Sequence, residues 1–221
     1  MRHASPVIAL DIETDTEPPR DGLDWRSTRV VSVACYAGSD LVDQLVLVDR
    51  EHGGEGRILD ALGTWLSRRD RDVVVSWNGT RFDLPMLANR AGESGSALRV
   101  DCRARPLVRI AGAPDAYRAL YEGTIEQHPH LDIGARLWKP WARDTWGNWR
   151  LKDVAARLGL NPVRQDASAG HLLSDEEMAA YNLSDTRITH VLEQIWRATG
   201  GQPSLYEPGP GGYHRTGSSG A

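Results

Sequence analysis

Residues 7–13 read Val-Ile-Ala-Leu-Asp-Ile-Glu, an apolar run broken by two carboxylates at alternate positions. Its length and apolar content predict a strand. Alternate side chains of a strand share a face. Asp11 and Glu13 therefore stand with Val7 and Ala9, while Ile8, Leu10 and Ile12 line the other side. A strand apolar on both faces belongs at the centre of a sheet. Two ionised carboxylates placed there repel each other and lose hydration, a cost of several kcal/mol each unless something offsets it. Whatever fold is built on this strand must bring a positive partner to it. A divalent metal is one such partner, and a pair of arginines is another.

Around that strand the pattern is mixed. Arg29–Tyr36 and Leu41–Val48 read as two more strands, and their short connections predict antiparallel neighbours. Ile58, Leu59, Leu62, Trp65 and Leu66 have helical spacing within 56–69, so the next strand, Asp72–Trp77, follows a crossover and pairs in parallel. Asp83–Ala91 is helical, with Pro85 in the first turn. Residues 92–127 carry no clear period. His130–Ile133 predicts a fifth strand that runs into a helix through Leu137, and Leu151–Leu160 predicts a helix stopped by Gly159 and Pro162. Ser174-Asp-Glu-Glu177 is a capping box opening a helix to about Ala198. Seven glycines and three prolines in the 22 residues after Thr199 predict a flexible tail, 199–221, outside a domain of 1–198. Together these elements make an α/β or α+β domain with a mixed sheet.

Composition removes several alternatives. The 221 residues suffice for one domain with a sizeable core, and 40% hydrophobic with 25% charged residues is ordinary for a globular chain. A net charge of −4 gives no basis for nucleic-acid binding driven by overall charge. Cys35 and Cys102 are too few for a disulfide scaffold or a cysteine-rich zinc site and suit a reducing compartment. No segment approaches bilayer-spanning length, and Val7–Leu10 is too short for a signal-peptide core, so a cytoplasmic protein without membrane contact is expected. Only two of the 26 basic residues are lysines, Lys139 and Lys152, and the arginine excess reads as compositional bias.

Two further acids stand where apolar packing is expected. Taking 100° per residue, Tyr181, Asp185, Ile188, Leu192 and Ile195 fall on one helix stripe, so Asp185 lies on the inward face one turn after Tyr181. An acid on that face again requires a partner. Asp83 closes the segment Trp77-Asn-Gly-Thr-Arg-Phe-Asp83, just past a buried strand, where functional loops gather; it equally fits an ordinary helix N-cap. D-x-E occurs four times in the chain and Y-x-x-x-D twice. Context selects among them, since only Asp11-Ile-Glu13 lies in an apolar strand and only Tyr181–Asp185 along an inward helix face. Trp138, Trp141, Trp146 and Trp149 are interleaved with Lys139, Arg143 and Arg150, a combination suited to single-stranded nucleic acid. Tryptophans at this density also cover sheet edges or make dimer contacts. His128 and His130 have no cysteine at zinc spacing and read as surface or hydrogen-bonding residues, while His171 precedes the last helix within reach of the acids.

Asp11-Ile-Glu13-Thr14, Asn78-Gly-Thr-Arg-Phe82-Asp83 and Tyr181-Asn-Leu-Ser-Asp185, in this order and wide spacing, resemble the motifs of the DEDD superfamily of 3′–5′ exonucleases. Ala180 stands where the related branch has a histidine, so the likeness is to the tyrosine branch, and it is similar to the exonuclease domain of family B DNA polymerases. His130-Leu-Asp132 is a weaker point of likeness. The resemblance spans most of residues 7–196. It implies an α/β, ribonuclease-H-like fold, a mixed five-stranded sheet flanked by helices, and metal-dependent removal of nucleoside 5′-monophosphates from the 3′ end of a single strand. It also implies two Mg²⁺ or Mn²⁺ ions, whose charge the four acids Asp11, Glu13, Asp83 and Asp185 balance, with Asp11 bridging both. Tyr181 then orients the attacking water, since a phenol is a poor base near neutral pH. Thr14, Asn78 and Phe82 are implied at the strand end, although Phe82 also suits core packing, and Trp146 and Trp149 are expected along the strand. DNA is the favoured substrate. A 3′–5′ exoribonuclease and a catalytically silent nucleic-acid-binding module of the same fold are the alternatives. No polymerase domain fits in these residues, so proofreading or repair would need a separate partner.

Overall fold

The computed structural model describes residues 6–15, 28–38, 43–106, 119–164 and 172–203. Three strands, β1 (Val7–Thr14), β2 (Val30–Tyr36) and β3 (Gln44–Val48), form the expected antiparallel meander. Helix α1 (Gly54–Ser67) crosses to β4 (Val73–Ser76), which pairs with β1 in parallel. Then follow α2 (Asp83–Ser94), β5 (Val100–Pro106), β6 (Ala119–Ile125) and β7 (His128–Asp132). A π-helical turn at Gly134–Trp138 runs into α3 (Lys139–Trp146), followed by α4 (Leu151–Arg157) and α5 (Asp175–Ala198).

The sheet order is β3-β2-β1-β4-β7-β6-β5, which corrects the expected five strands to seven. The two unforeseen strands, β5 and β6, form an antiparallel ribbon that continues the sheet past β7. They bury only one side in part: Val100, Cys102 and Tyr121 pack against the core as half-buried residues. The alternating charges Asp101 and Arg103 face outward, and the apolar positions between are small, so the period-two signal is faint. Strand β7 also begins earlier than the sequence suggests, because Pro129 is accommodated within it opposite Thr124.

β1 is flanked by β2 and β4 and divides the core as its pattern requires. Ile8, Leu10 and Ile12 pack with Ile58, Leu59 and Leu62 of α1 and Leu84 and Leu87 of α2. Val7 and Ala9 pack on the opposite face with Trp138, Val154 and the α5 residues Ile188, Leu192 and Ile195. All five residues of the predicted α5 stripe are buried. Each fully buried aliphatic side chain contributes roughly 1.5–3 kcal/mol relative to exposure, so the stripe fixes α5 against β1. The start of α5 is fixed by the capping box, Glu177 N–H to Ser174 Oγ at 3.2 Å and Ser174 N–H to Glu177 Oε2 at 2.8 Å. On the other face, Glu55 accepts from Arg90 Nη2 (2.6 Å) and from the Val30 amide (2.7 Å), tying α1, α2 and β2 together.

After α5 the chain turns through Gly200 and Gly201 and tucks Pro203 against the fold. Positions 204–221 of the predicted tail and His171 lie outside the described residues. Among those described, no helix is long and apolar enough to cross a membrane.

Candidate active site

The acids are drawn together by where the strands end. β4 pairs with β1 only over Val7–Ala9, so the far half of β1 has an open edge on that side. A bare backbone donor there requires an acceptor. The chain supplies one by turning from β4 directly into α2, and Asp83 Oδ1 accepts the Ile12 amide at 3.2 Å. Asp83 is the first helical residue, with Phe82 in the N-cap position, so the carboxylate expected to cap its own helix reaches across to β1 instead. The turn is held by Asp132 of β7, whose two oxygens accept from the amides of Asn78 (2.9 Å), Thr80 (3.1 Å) and Ala135 (2.8 Å) and from Thr80 Oγ1 (2.7 Å). Asn78 itself adopts the left-handed region, φ 70°. Gly79 passes so close to Ser76 Oγ that a Cβ there would overlap it, and would stand 2.9 Å from His130 Nε2.

Asp11 and Glu13 point to the face covered by α5. Both are packed in by protein yet keep part of their surface open. Asp185 of α5 joins them from above, 7% exposed, and Asp83 from the side, 2% exposed. Burial first, then the neighbouring charges of Asp83, Glu13 and Asp185, push Asp11 well above the usual carboxylate range. Burial and Asp185 push Glu13 up to about 8, and burial pushes Asp83 to about 7 and Asp185 to about 6. Lys152 opposes these shifts at Asp11, Glu13 and Asp185. Its Nζ lies 3.3 Å from Asp185 Oδ2 and 3.5 Å from the ring centroid of Tyr181. Burial, with Glu13, Asp185 and Asp11 adding to it, raises the Tyr181 phenol far out of the titratable range. Asn182, fully buried, is oriented by its hydrogen-bond network to donate to Asp11 Oδ2 (3.1 Å) and the Asp11 carbonyl (3.3 Å) while accepting from Ser32 Oγ (2.9 Å).

The site is thus a group of mutually repelling acids, one ammonium, a neutral phenol and an amide donor. An all-oxygen donor set of this kind matches Mg²⁺ or Mn²⁺. Asp185 Oδ1 is buried with no hydrogen-bond partner, which a cation would satisfy. Among the described residues, no three acids, histidines or cysteines stand close enough together to form a metal cage.

The other residues picked from sequence are spread around this group. Thr14 is buried where β1 leaves its regular register with β2, and Asn78 lies in the turn before α2. Phe82 packs half-buried against the α1/α2 side of the core. Trp146 stands edge-on to Trp141 at 4.6 Å, with the Arg157 guanidinium 5.5 Å from its ring, and belongs to the tryptophan packing around Trp138. Trp149 instead faces Lys139, whose Nζ is 4.2 Å from the ring centroid. Sequence reasoning passed over Lys152, Asn182 and Asp132 as members of the site. The one available signal for Lys152 was its type: in a chain with 26 basic residues, lysine occurs only twice.

A family model described as RNase_H superfamily, RNase_H_2, matches residues 8–174. Among solved structures, the family B DNA polymerase of the hyperthermophilic archaeon Pyrobaculum calidifontis is similar over 88% of this chain, with a TM-score of 0.62 and 21% identity. The matched part is 25% of the polymerase chain, so the present chain corresponds to a fraction of that protein's length. No curated protein matches.

Proposed function

The chain belongs to the RNase H superfamily, and from that premise we propose that it is a metal-dependent 3′–5′ exonuclease of the tyrosine branch of the DEDD superfamily, acting on single-stranded nucleic acid, with DNA favoured. The observation that carries this reading is the meeting of Asp11, Glu13, Asp83 and Asp185, from the central strand, the start of α2 and the inward face of α5, with Lys152 as the cation that opposes their charge.

Asp11, Glu13, Asp83 and Asp185 would hold Mg²⁺ or Mn²⁺. Bound there, divalent ions supply charge neutralisation for the acids and polarise the phosphodiester and a water. The chain's own residues do the rest. Asn182 fixes the Asp11 carboxylate by donating to Oδ2. Lys152 keeps Asp185 ionised and braces the Tyr181 ring. Tyr181, held as a phenol, donates or accepts a hydrogen bond to orient the attacking water and does not remove its proton. Thr14, Asn78 and Phe82 border the end of the strand. The new bond joins water oxygen to phosphorus and the broken one frees the 3′-oxygen of the next sugar. A nucleoside 5′-monophosphate leaves, and the 3′-oxygen takes a proton.

One observation favours a second reading. Lys152 already partly neutralises Asp185, as in a silent binding module that needs no metal. The deciding experiment is hydrolysis of 3′- and 5′-labelled single strands of both sugars in Mg²⁺, Mn²⁺ or EDTA. Stepwise loss of the 3′ label as mononucleotide, abolished by EDTA, is expected. Intact strands under all conditions would leave only the binding module, and faster loss from RNA would make the protein an exoribonuclease.

A further inference from the structure

A second feature shares the β4–α2 turn with Asp83 and, Asn78 apart, has no part in the chemistry above. A cleft of about 450 Å³ opens between the β4–α2 turn and α3, lined by Asn78, Arg81, Lys139, Arg143, Asp144 and Trp149 among others. It joins the candidate active site along the chain at both ends: Asn78 and Arg81 belong to the turn that delivers Asp83, and Trp149 precedes the helix that delivers Lys152. Its lining has three cations and one acid, in a protein whose net charge is −4. Among the described residues, none of the three cations is ion-paired to a carboxylate. They crowd one another instead: burial first, then Arg81 and Arg143, hold the Lys139 ammonium below the usual lysine range. Cations that outnumber the acids around them raise the potential of a concave surface and favour an anion. The indole of Trp149 forms an aromatic wall beside them, with Lys139 seated on it.

We propose that this cleft grips the sugar-phosphate backbone of a single strand upstream of the bond to be cut, with phosphates on Arg81, Lys139 and Arg143 and Trp149 as the wall for a base. Paired cations and an aromatic face are the general means of holding a single strand without reading its sequence. The inference rests on the nuclease reading for the direction of the strand. The grip itself is measurable without catalysis.

The test is fluorescence anisotropy with a labelled dodecamer of thymidylate, in EDTA so that nothing is hydrolysed, across a salt series. Arg81→Ala/Arg143→Ala is expected to weaken binding about tenfold and to flatten the slope of log affinity against log salt by about 1.4, which is about 0.7 for each single-strand phosphate that is no longer neutralised. Arg68→Ala, an exposed charge at the end of α1 on the other side of the sheet, is the charge control and is expected to bind as wild type. If the double variant unfolds, Arg143→Glu on the exposed face of α3 gives the same comparison with a single change. Unchanged affinity and slope in folded variants overturn the proposal. So does an equal loss of binding for thymidine 5′-monophosphate, because the cleft would then hold the released nucleotide and not the backbone. A protein that loses oligonucleotide binding with these residues but cuts nothing in Mg²⁺ keeps the cleft and overturns the nuclease. One that cuts normally while the variants bind as wild type does the reverse.

Discussion

Asp11 meets repulsion from three carboxylates and help from one lysine. Asp11→Asn keeps the shape, and the amide oxygen still accepts from Asn182, but the charge is gone. Hydrolysis is expected to fall below detection. The metal-free protein near pH 8 is expected to be more stable than wild type, since the neutral amide removes the repulsion from Asp83, Glu13 and Asp185. Activity on 3′-labelled strands and urea unfolding in EDTA check both halves, and a variant that cuts at the normal rate removes Asp11 from the site. Lys152 carries the opposite expectation. Lys152→Met keeps the apolar stem and loses the ammonium that faces Asp185 across 3.3 Å. Breaking a buried pair costs about 3–5 kcal/mol when the remaining charge cannot escape. Here Asp185 can escape by taking a proton, so the deficit in EDTA is expected to be larger near pH 8 than near pH 5. An equal deficit at both would show that the lysine contributes packing alone. The need for a cation was legible in the sequence, because Asp11, Glu13 and Asp185 each occupied an apolar face. Its identity was not, since Lys152 lies 33 positions before Asp185 and only the packing of α4 on α5 brings them together.

At the level of elements, the site depends on a turn whose amides are gathered by one carboxylate. Asp132 accepts four hydrogen bonds from the β4–α2 turn and the start of the π-helical turn. Asp132→Ala leaves those donors bare, at about 1–3 kcal/mol for each one that water cannot reach, so a loss of at least about 3 kcal/mol is expected in urea unfolding. The rate of hydrolysis at saturating strand is expected to fall further than that of a surface variant of equal stability, because Asp83 and Asn78 are aimed by this turn. A fall explained by the unfolded fraction alone would make Asp132 purely structural. In the sequence Asp132 stood only in a weak point of likeness, and its role follows from β7 standing beside β4, a pairing invisible in one dimension. The strongly patterned elements were legible: β1 from its two apolar faces, α5 from its capping box and stripe. The β5–β6 ribbon was not, since it extends the sheet where burial is partial and alternation rests on small side chains such as Cys102 and Ala104.

Across the whole molecule, the raised acids tie stability to pH and to metal with opposite signs. In the unfolded chain, aspartate and glutamate titrate near 4, while in the folded chain Asp185, Asp83 and Glu13 hold their protons to about 6, about 7 and about 8. Between those limits the native state binds more protons than the unfolded one, so stability falls as pH rises and levels off once each folded pKa is passed. His130 and His190 act the other way: burial lowers both to about 4, so they weaken the fold as pH drops below about 6.5. The window from about pH 6.5 to about pH 8 therefore belongs to the acids, chiefly Glu13 and Asp83. In EDTA the protein is expected to lose roughly 2 kcal/mol across it, the shared charge keeping the sum below that of independent groups. Mg²⁺ reverses the slope, because it binds the ionised acids of the native state and competes with protons for them. At a hundredfold excess over its dissociation constant it adds about 2.7 kcal/mol, more near pH 8 than near pH 6.5. Urea unfolding at both ends of the window, with EDTA or Mg²⁺, is the measurement. Curves that fall in parallel with and without the ion would mean that Lys152 is the only cation these carboxylates accept, and the metal-dependent chemistry would go with them.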